Sequence, residues 1–157
     1  ASTNLFGKPS AKAVALEQSA ITAVQAIINA TKSGGYATEV DFKHKNSQSY
    51  YKVEVQTATG TQKVFVDATN GQIINTRADN NRDNDDDNDV VIANPRISMQ
   101  QAITIAQAST NGSSKAKDAE LKSRNGQVYY SIELLNNGQK QKVRVDATSG
   151  QIMQGIL

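Results

Sequence analysis

The sequence predicts an α+β protein of two homologous modules, each with one helix packed on a three- to four-stranded antiparallel sheet. Three observations lead there. The segment "VFVDATNGQIIN" at Val64–Asn75 returns as "VRVDATSGQIMQ" at Val143–Gln154, 79 positions later. In each half the apolar periodicity switches from helical spacing to strict alternation, and short Asn/Gly turns punctuate the alternating part. The 157 residues suffice for one ordinary domain or two small ones, and small units gain by packing together.

The repeat extends well beyond the turn. With the same shift of 79, Tyr50-Tyr51 falls on Tyr129-Tyr130, and Val53-Glu54-Val55 falls on Ile132-Glu133-Leu134. Upstream the shift is 76, aligning Ile21 with Ile97, Ala26-Ile27 with Ala102-Ile103 and Ala30 with Ala106. The second copy therefore carries three extra residues, and the loop "STNGSSKAK" is where a chain absorbs them.

Pro9-Ser10 opens the first helical stretch, and Val14, Ala20, Ile21, Val24, Ile27 and Ile28 supply its apolar face. One long helix or two broken ones both satisfy that pattern, which Gly34-Gly35 ends. In the second copy Ser98 has the character of an N-cap and Ile97 that of a staple residue. Ala102, Ile105, Ala106 and Ser109 recur at helical spacing, Met99 and Ile103 widen the stripe, and Asn111-Gly112 stops it.

Three strands follow in each copy. Val40 and Phe42 alternate with Glu39, Asp41 and Lys43 on the first, and Ala119 and Leu121 are their inward counterparts. Tyr51, Val53 and Val55 face inward on the second, as do Tyr130, Ile132 and Leu134. The third carries Val64 and Val66, matched by Val143 and Val145. Turns at Asn46-Ser47, Asn125-Gly126, Thr59-Gly60 and Asn137-Gly138 close the hairpins. A short fourth strand holds Ile73-Ile74, matched by Ile152-Met153. Between strands three and four, Asp67 and Asp146 accept from the backbone of the turn, and Gly71 and Gly150 supply its positive φ.

Net charge is +2, unevenly spread: residues 1–78 hold 8 Lys/Arg and 5 Asp/Glu, residues 79–95 hold 1 and 6, and residues 96–157 hold 8 and 4. The chain thus divides into a first module with an N-terminal helical extension (1–78), an acidic linker (79–95) and a second module (96–157). Basic residues are dispersed and aromatics are 5%, so no nucleic-acid partner is expected.

The inventory leaves little for chemistry. There is no Cys and one His, His44, which excludes a zinc site built on several His or Cys ligands and any Cys/His nucleophile. No phosphate-binding glycine loop occurs, so no cofactor is expected, and no catalytic residue is assigned. Asp83, Asp85, Asp87 and Asp89 take the alternate positions of an EF-hand loop. Asn88 replaces its turn glycine and Asn94 its bidentate Glu, which leaves weak divalent-cation binding at most. Tyr50 and Tyr129 fall on the outer sheet face and are the candidate partner-binding residues.

The "A-I-x-x-A" helix (Ala26-Ile27…Ala30; Ala102-Ile103…Ala106), the "Y-x-V/I-E-V/L" strand (Tyr51–Val55; Tyr130–Leu134) and "V-x-V-D-A-x-x-G-x-I" occur in order in both copies. Together they resemble the PepSY domain, so the chain looks like a tandem PepSY protein. The resemblance implies a small, non-catalytic α+β module, mostly extracytoplasmic (periplasmic or secreted) in bacteria, with a role in inhibiting or modulating a protease. It carries no catalytic residues to transfer. No HExxH segment follows, unlike in protease propeptides. The chain begins at Ala1 without Met, so a leader has been removed or the sequence trimmed. The competing expectation is an envelope-associated structural protein whose acidic linker binds divalent cations.

Overall fold

A computed structural model of the chain describes residues 10–79, 92–110 and 112–153. In sequence order these form α1 (Ala11–Glu17), α2 (Ala23–Ala30), β1 (Tyr36–Lys45), β2 (Gln48–Thr57), β3 (Gly60–Asp67), β4 (Ile73–Ala78), α3 (Met99–Ala108), β5 (Lys115–Arg124), β6 (Gln127–Asn136), β7 (Gln139–Asp146) and β8 (Ile152–Met153). Each half runs helix, then meander, as the repeat requires.

Of one long helix or two broken ones, the first half takes the second, and the reason is local. Thr22 caps α2 through a capping box with Gln25, while the Ser19 hydroxyl donates to the Ile21 and Ala68 carbonyls. Side chains that bond nearby backbone compete with helix continuation, and here they interrupt it at residues 18–22. The break also changes which residues are buried: Ala13 and Leu16 enter the core, while Val14 and Ile28 stay exposed. In the second half Ser98 caps α3 through the same box, with Gln101.

The meanders do not form two separate sheets. All eight strands make one antiparallel sheet in the order β4-β3-β2-β1-β5-β6-β7-β8. The junction is the pairing of β1 with β5: Glu39 opposite Glu120, Val40 opposite Ala119 and Asp41 opposite Asp118. Val40 and Ala119 are the same repeat position, so the register is symmetric about that pair. Joining the two inner edges leaves the sheet with only its two outermost edges open, which limits the exposure of unpaired backbone.

Burial alternates along each strand. Val40, Phe42, Tyr51, Val53, Val55, Val64 and Val66 face the helices, as do Ala119, Tyr130, Ile132, Leu134, Val143 and Val145. Helices α2 and α3 lie against each other, and each also touches the first strand of the opposite half, α2 on β5 and α3 on β1. The core is therefore continuous across the junction. Both β1 and β5 carry a bulge just before it, between Ala37 and Glu39 and between Ala116 and Asp118. The inserted residues, Thr38 and Lys117, occupy the same repeat position.

Three of the turns have positive φ at both central positions: Asn46-Ser47 (51°, 63°), Asn125-Gly126 (53°, 79°) and Asn137-Gly138 (53°, 82°). Those are the mirror-image turns whose twist suits a two-residue hairpin.

Candidate interaction surfaces

The doubled motif builds a clamp between sheet and helix. Thr69 N–H donates to Asp67 Oδ1 at 2.7 Å, and Thr148 and Ser149 N–H donate to Asp146 Oδ1 at 2.8 and 2.9 Å. The backbone bond from Ser149, then the Gln127 amide and the bond from Thr148, hold the Asp146 carboxyl below its ordinary pKa. Gly71 and Gly150 adopt φ of 79° and 80°. A Cβ on Gly71 would stand 3.0 Å from Asn29 Nδ2, and one on Gly150 would stand 3.3 Å from Ile105 Cδ1. The turns are thus seated on the helices.

The sequence places Tyr51 and Tyr130 inward, as their burial bears out, but assigns no role to their hydroxyls or to the alanine of VDAT. Ile21 N–H donates to the Ala68 carbonyl at 3.1 Å, and Ile97 N–H to the Ala147 carbonyl at 2.9 Å. The Tyr51 hydroxyl donates to the Ile21 carbonyl at 2.9 Å, and that of Tyr130 to the Ile97 carbonyl at 2.7 Å. Both polar groups of the residue before each helix cap are therefore held by the sheet. Burial pushes the Tyr51 hydroxyl up to about 12 and the Tyr130 hydroxyl in the same direction, so both remain donors. The recurrence of Ile, Tyr and Ala in the same order, with Tyr and Ala 17 apart in both copies, was the available signal.

On the outer face, Tyr50 and Tyr129 have different surroundings. Tyr50 is half-buried and packs on Phe65, ring centroids 5.9 Å apart, and the Arg77 guanidinium lies 5.1 Å above the Phe65 ring. Tyr129 is only 7% exposed. The expectation of two exposed anchors therefore fails for Tyr129, which offers a partner almost no surface; alternation gives the face of a residue and not its cover.

The rest of the outer face at the junction is charged. Lys43 pairs with Asp41 at 3.0 Å, and Lys117 pairs with both Asp118 and Glu133 at 3.0 and 3.3 Å. Lys52 reaches Glu54 at 3.9 Å and Lys122 reaches Glu120 at 4.0 Å. Helix α1 adds Lys12 to this group, its pKa lowered by burial and then by the neighbouring charge of Lys117.

The β4 edge is the other distinctive surface. All six residues of β4 are exposed, with Ile73 at 50% and Ile74 at 48%. Behind it a groove of about 270 Å³ runs between the end of α2 and β3, lined by Ala30, Gly34, Thr57, Val64, Ile73 and Thr76 among others. At the opposite end of the sheet β8 is two residues long.

Asp83, Asp85, Asp87 and Asp89 lie outside the described residues. Among the described residues no group of three or more His, Cys, Asp or Glu could hold a metal ion. His44 Nδ1 lies 2.9 Å from Ser49 Oγ across the first hairpin; the described hydrogen bonds give this pair no carboxylate to orient the imidazole, as nucleophilic catalysis by a Ser–His pair needs. Among the described residues no helix is long and apolar enough to cross a membrane.

Residues 11–77 and 96–153 each match the family described as "Peptidase propeptide and YPEB domain" (PepSY). No curated protein matches the chain. Among solved structures it is similar to a putative lipoprotein from Clostridium difficile 630, at 17% identity over 76% of this chain and 80% of that one, with a TM-score of 0.46. It is also similar to the Bacillus megaterium YpeB C-terminal domain, at 17% identity over 87% of this chain and 67% of that one, with a TM-score of 0.30.

Proposed function

The chain belongs to the PepSY family, which its two halves match in turn, and from that premise we propose a non-enzymatic, extracytoplasmic protein-binding module that engages its partner along β4. The observation that carries this reading is the exposed six-residue edge with its two half-exposed isoleucines. An edge strand presents unpaired N–H and C=O groups, and an extended segment that adds to it gains main-chain hydrogen bonds. The groove beside Ile73 and Thr76 offers room for alternate side chains of such a segment. The family description, which names peptidase propeptides, makes a protease the first partner class to try.

Residues 1–78 and 96–157 act in this reading as two modules of one sheet, and among the described residues β4 in the first runs for six residues against two for β8 in the second. A titration of the chain into a thermolysin-like metalloprotease tests the proposal, with Ile74→Lys in parallel. Slowed hydrolysis that Ile74→Lys relieves supports it. An unchanged rate at micromolar chain removes the protease partner, and inhibition indifferent to Ile74→Lys removes the β4 edge.

A further inference from the structure

The junction between the repeats places acid against acid. Two of its three residue pairs are Glu39 opposite Glu120 and Asp41 opposite Asp118, and like charges directly opposite one another destabilise a strand pair. Each half adds a second acid on the neighbouring strand: Glu54 stands opposite Glu39, and Glu133 opposite Asp118. The two halves solve the same problem differently. In the second, the bulge residue is Lys117, whose ammonium bridges Asp118 and Glu133 at 3.0 and 3.3 Å. In the first, the equivalent bulge residue is Thr38, which has no charge and bonds the Glu54 carbonyl. The remaining cation near that acid pair is Lys52, 3.9 Å from Glu54.

We propose that a proton shared by Glu39 and Glu54 takes the place of the missing lysine, making the β1–β5 junction a pH-sensitive joint between the repeats. Protonated, Glu39 hydrogen-bonds Glu54 and presents no charge to Glu120. Ionised, it faces Glu54 on β2 and Glu120 on β5, with Lys52 beside Glu54 and Lys122 beside Glu120 as the opposing charges among the described residues. On the far side of Val40 the Asp41–Asp118 pair keeps its lysines, Lys43 and Lys117, with Lys12 nearby, so that side does not respond. Burial, the hydrogen bond to Glu54 and the charges of Glu54 and Glu120 push the Glu39 carboxyl up to about 7, against the pull of Lys52.

An acid raised in the closed state favours closure below its ordinary value of 4.5, and that contribution is lost as pH rises towards about 7. Because α2 and α3 pack across the junction on the other face and α1 touches both β1 and β5, what loosens is the strand pairing, while the helices stay in contact. The joint then pivots, and the two ends of the sheet change their relative orientation.

Hydrogen exchange on the intact chain at pH 5.0 and 7.5, corrected for the intrinsic exchange rate, tests this. Opening of peptides covering β1 and β5 is expected to rise roughly tenfold between the two pH values, less than the full shift implies because Glu39 is partly solvated. Peptides in β3 and β7 should not change. Thr38→Lys, which copies Lys117 into the first half, should abolish the rise, and Glu39→Gln should do the same. A junction that follows β3 and β7 at both pH values overturns the proposal, as does a tenfold rise that persists in Thr38→Lys. If either variant fails to fold, Glu120→Gln, which leaves the Glu39–Glu54 pair in place, must still reduce the rise; an undiminished one overturns it.

Discussion

Val40 stands directly opposite Ala119 in the register that joins β1 to β5, and the two are the same position of the repeat, 79 residues apart. Two equivalent inner strands thus pair with each other as any neighbours in a meander would. The consequence is one sheet with a charged outer centre, a continuous core beneath it and, among the described residues, an exposed six-residue edge strand at β4.

The tyrosine clamps should carry measurable stability. Tyr130→Phe leaves the ring in place and removes the hydroxyl that bonds the Ile97 carbonyl at 2.7 Å. The expected cost is about 1–2 kcal/mol in urea denaturation, since a buried carbonyl loses its partner. Tyr51→Phe should cost less, because the Ile21 carbonyl keeps the Ser19 hydroxyl at 2.6 Å, and an unchanged midpoint for Tyr130→Phe would show that the helix start is held by packing alone.

Ser47 supplies a second, opposite-signed test. Its φ of 63° is one that L-residues adopt at a cost, and the equivalent position of the second copy is Gly126. Ser47→Gly should therefore raise stability by about 1 kcal/mol, and Gly126→Ser should lower it by a similar amount. Thermal melts of the two variants moving in the same direction would contradict the conformational explanation.

At the seated turns the direction is destabilising. Gly71→Ala combines a φ of 79° with a contact at 3.0 Å to Asn29 Nδ2, whose amide also donates to the Gly71 carbonyl at 2.8 Å. Gly150→Ala meets the more yielding Ile105 Cδ1 at 3.3 Å. Both should lose at least about 1 kcal/mol, with Gly71→Ala the more costly of the two. Chemical denaturation side by side gives the ranking, and equal costs would remove the role assigned to Asn29.

Asp146 predicts an acid-side loss. Its carboxyl is held below the ordinary 3.8 by the backbone of its own turn and by Gln127. The stability this contributes is present above that value and disappears as pH falls through the lowered one. Asp146→Asn should therefore be less sensitive to acid below about pH 4 than the parent chain. A parallel acid profile for the two would assign the loss to other carboxylates.

Much of the architecture was legible in the sequence because its signals are local. Ser98 with Gln101, the Asn-Gly turns and the alternation from Tyr51 to Val55 each act within a few residues, and duplication doubled every one of them. The pairing of β1 with β5 was not legible, since Glu39, Asp41, Asp118 and Glu120 read as ordinary solvent-facing positions on two unrelated strands. Nothing in alternation says that a strand's second edge is occupied, or by what. The break in the first helix depended on Ser19 reaching Ala68, 49 residues away, and the bulges at Thr38 and Lys117 are invisible to a strict period of two. At the candidate surfaces, the outer face of Tyr129 was legible while its burial was not, and the β4 edge emerged only with the strand order.

The two repeats share one sheet, and the chain's lack of cysteine makes that directly measurable. Asp41→Cys with Asp118→Cys puts two thiols on directly opposed residues of the outer face, where cross-strand neighbours come within disulfide reach. Mild oxidation at low protein concentration should give an intramolecular disulfide in nearly every chain, with the same pair moved to Asp41 and Lys142 giving none. A bond that forms only between chains, or no faster than in the displaced pair, would contradict the continuous sheet and with it the joint between the repeats.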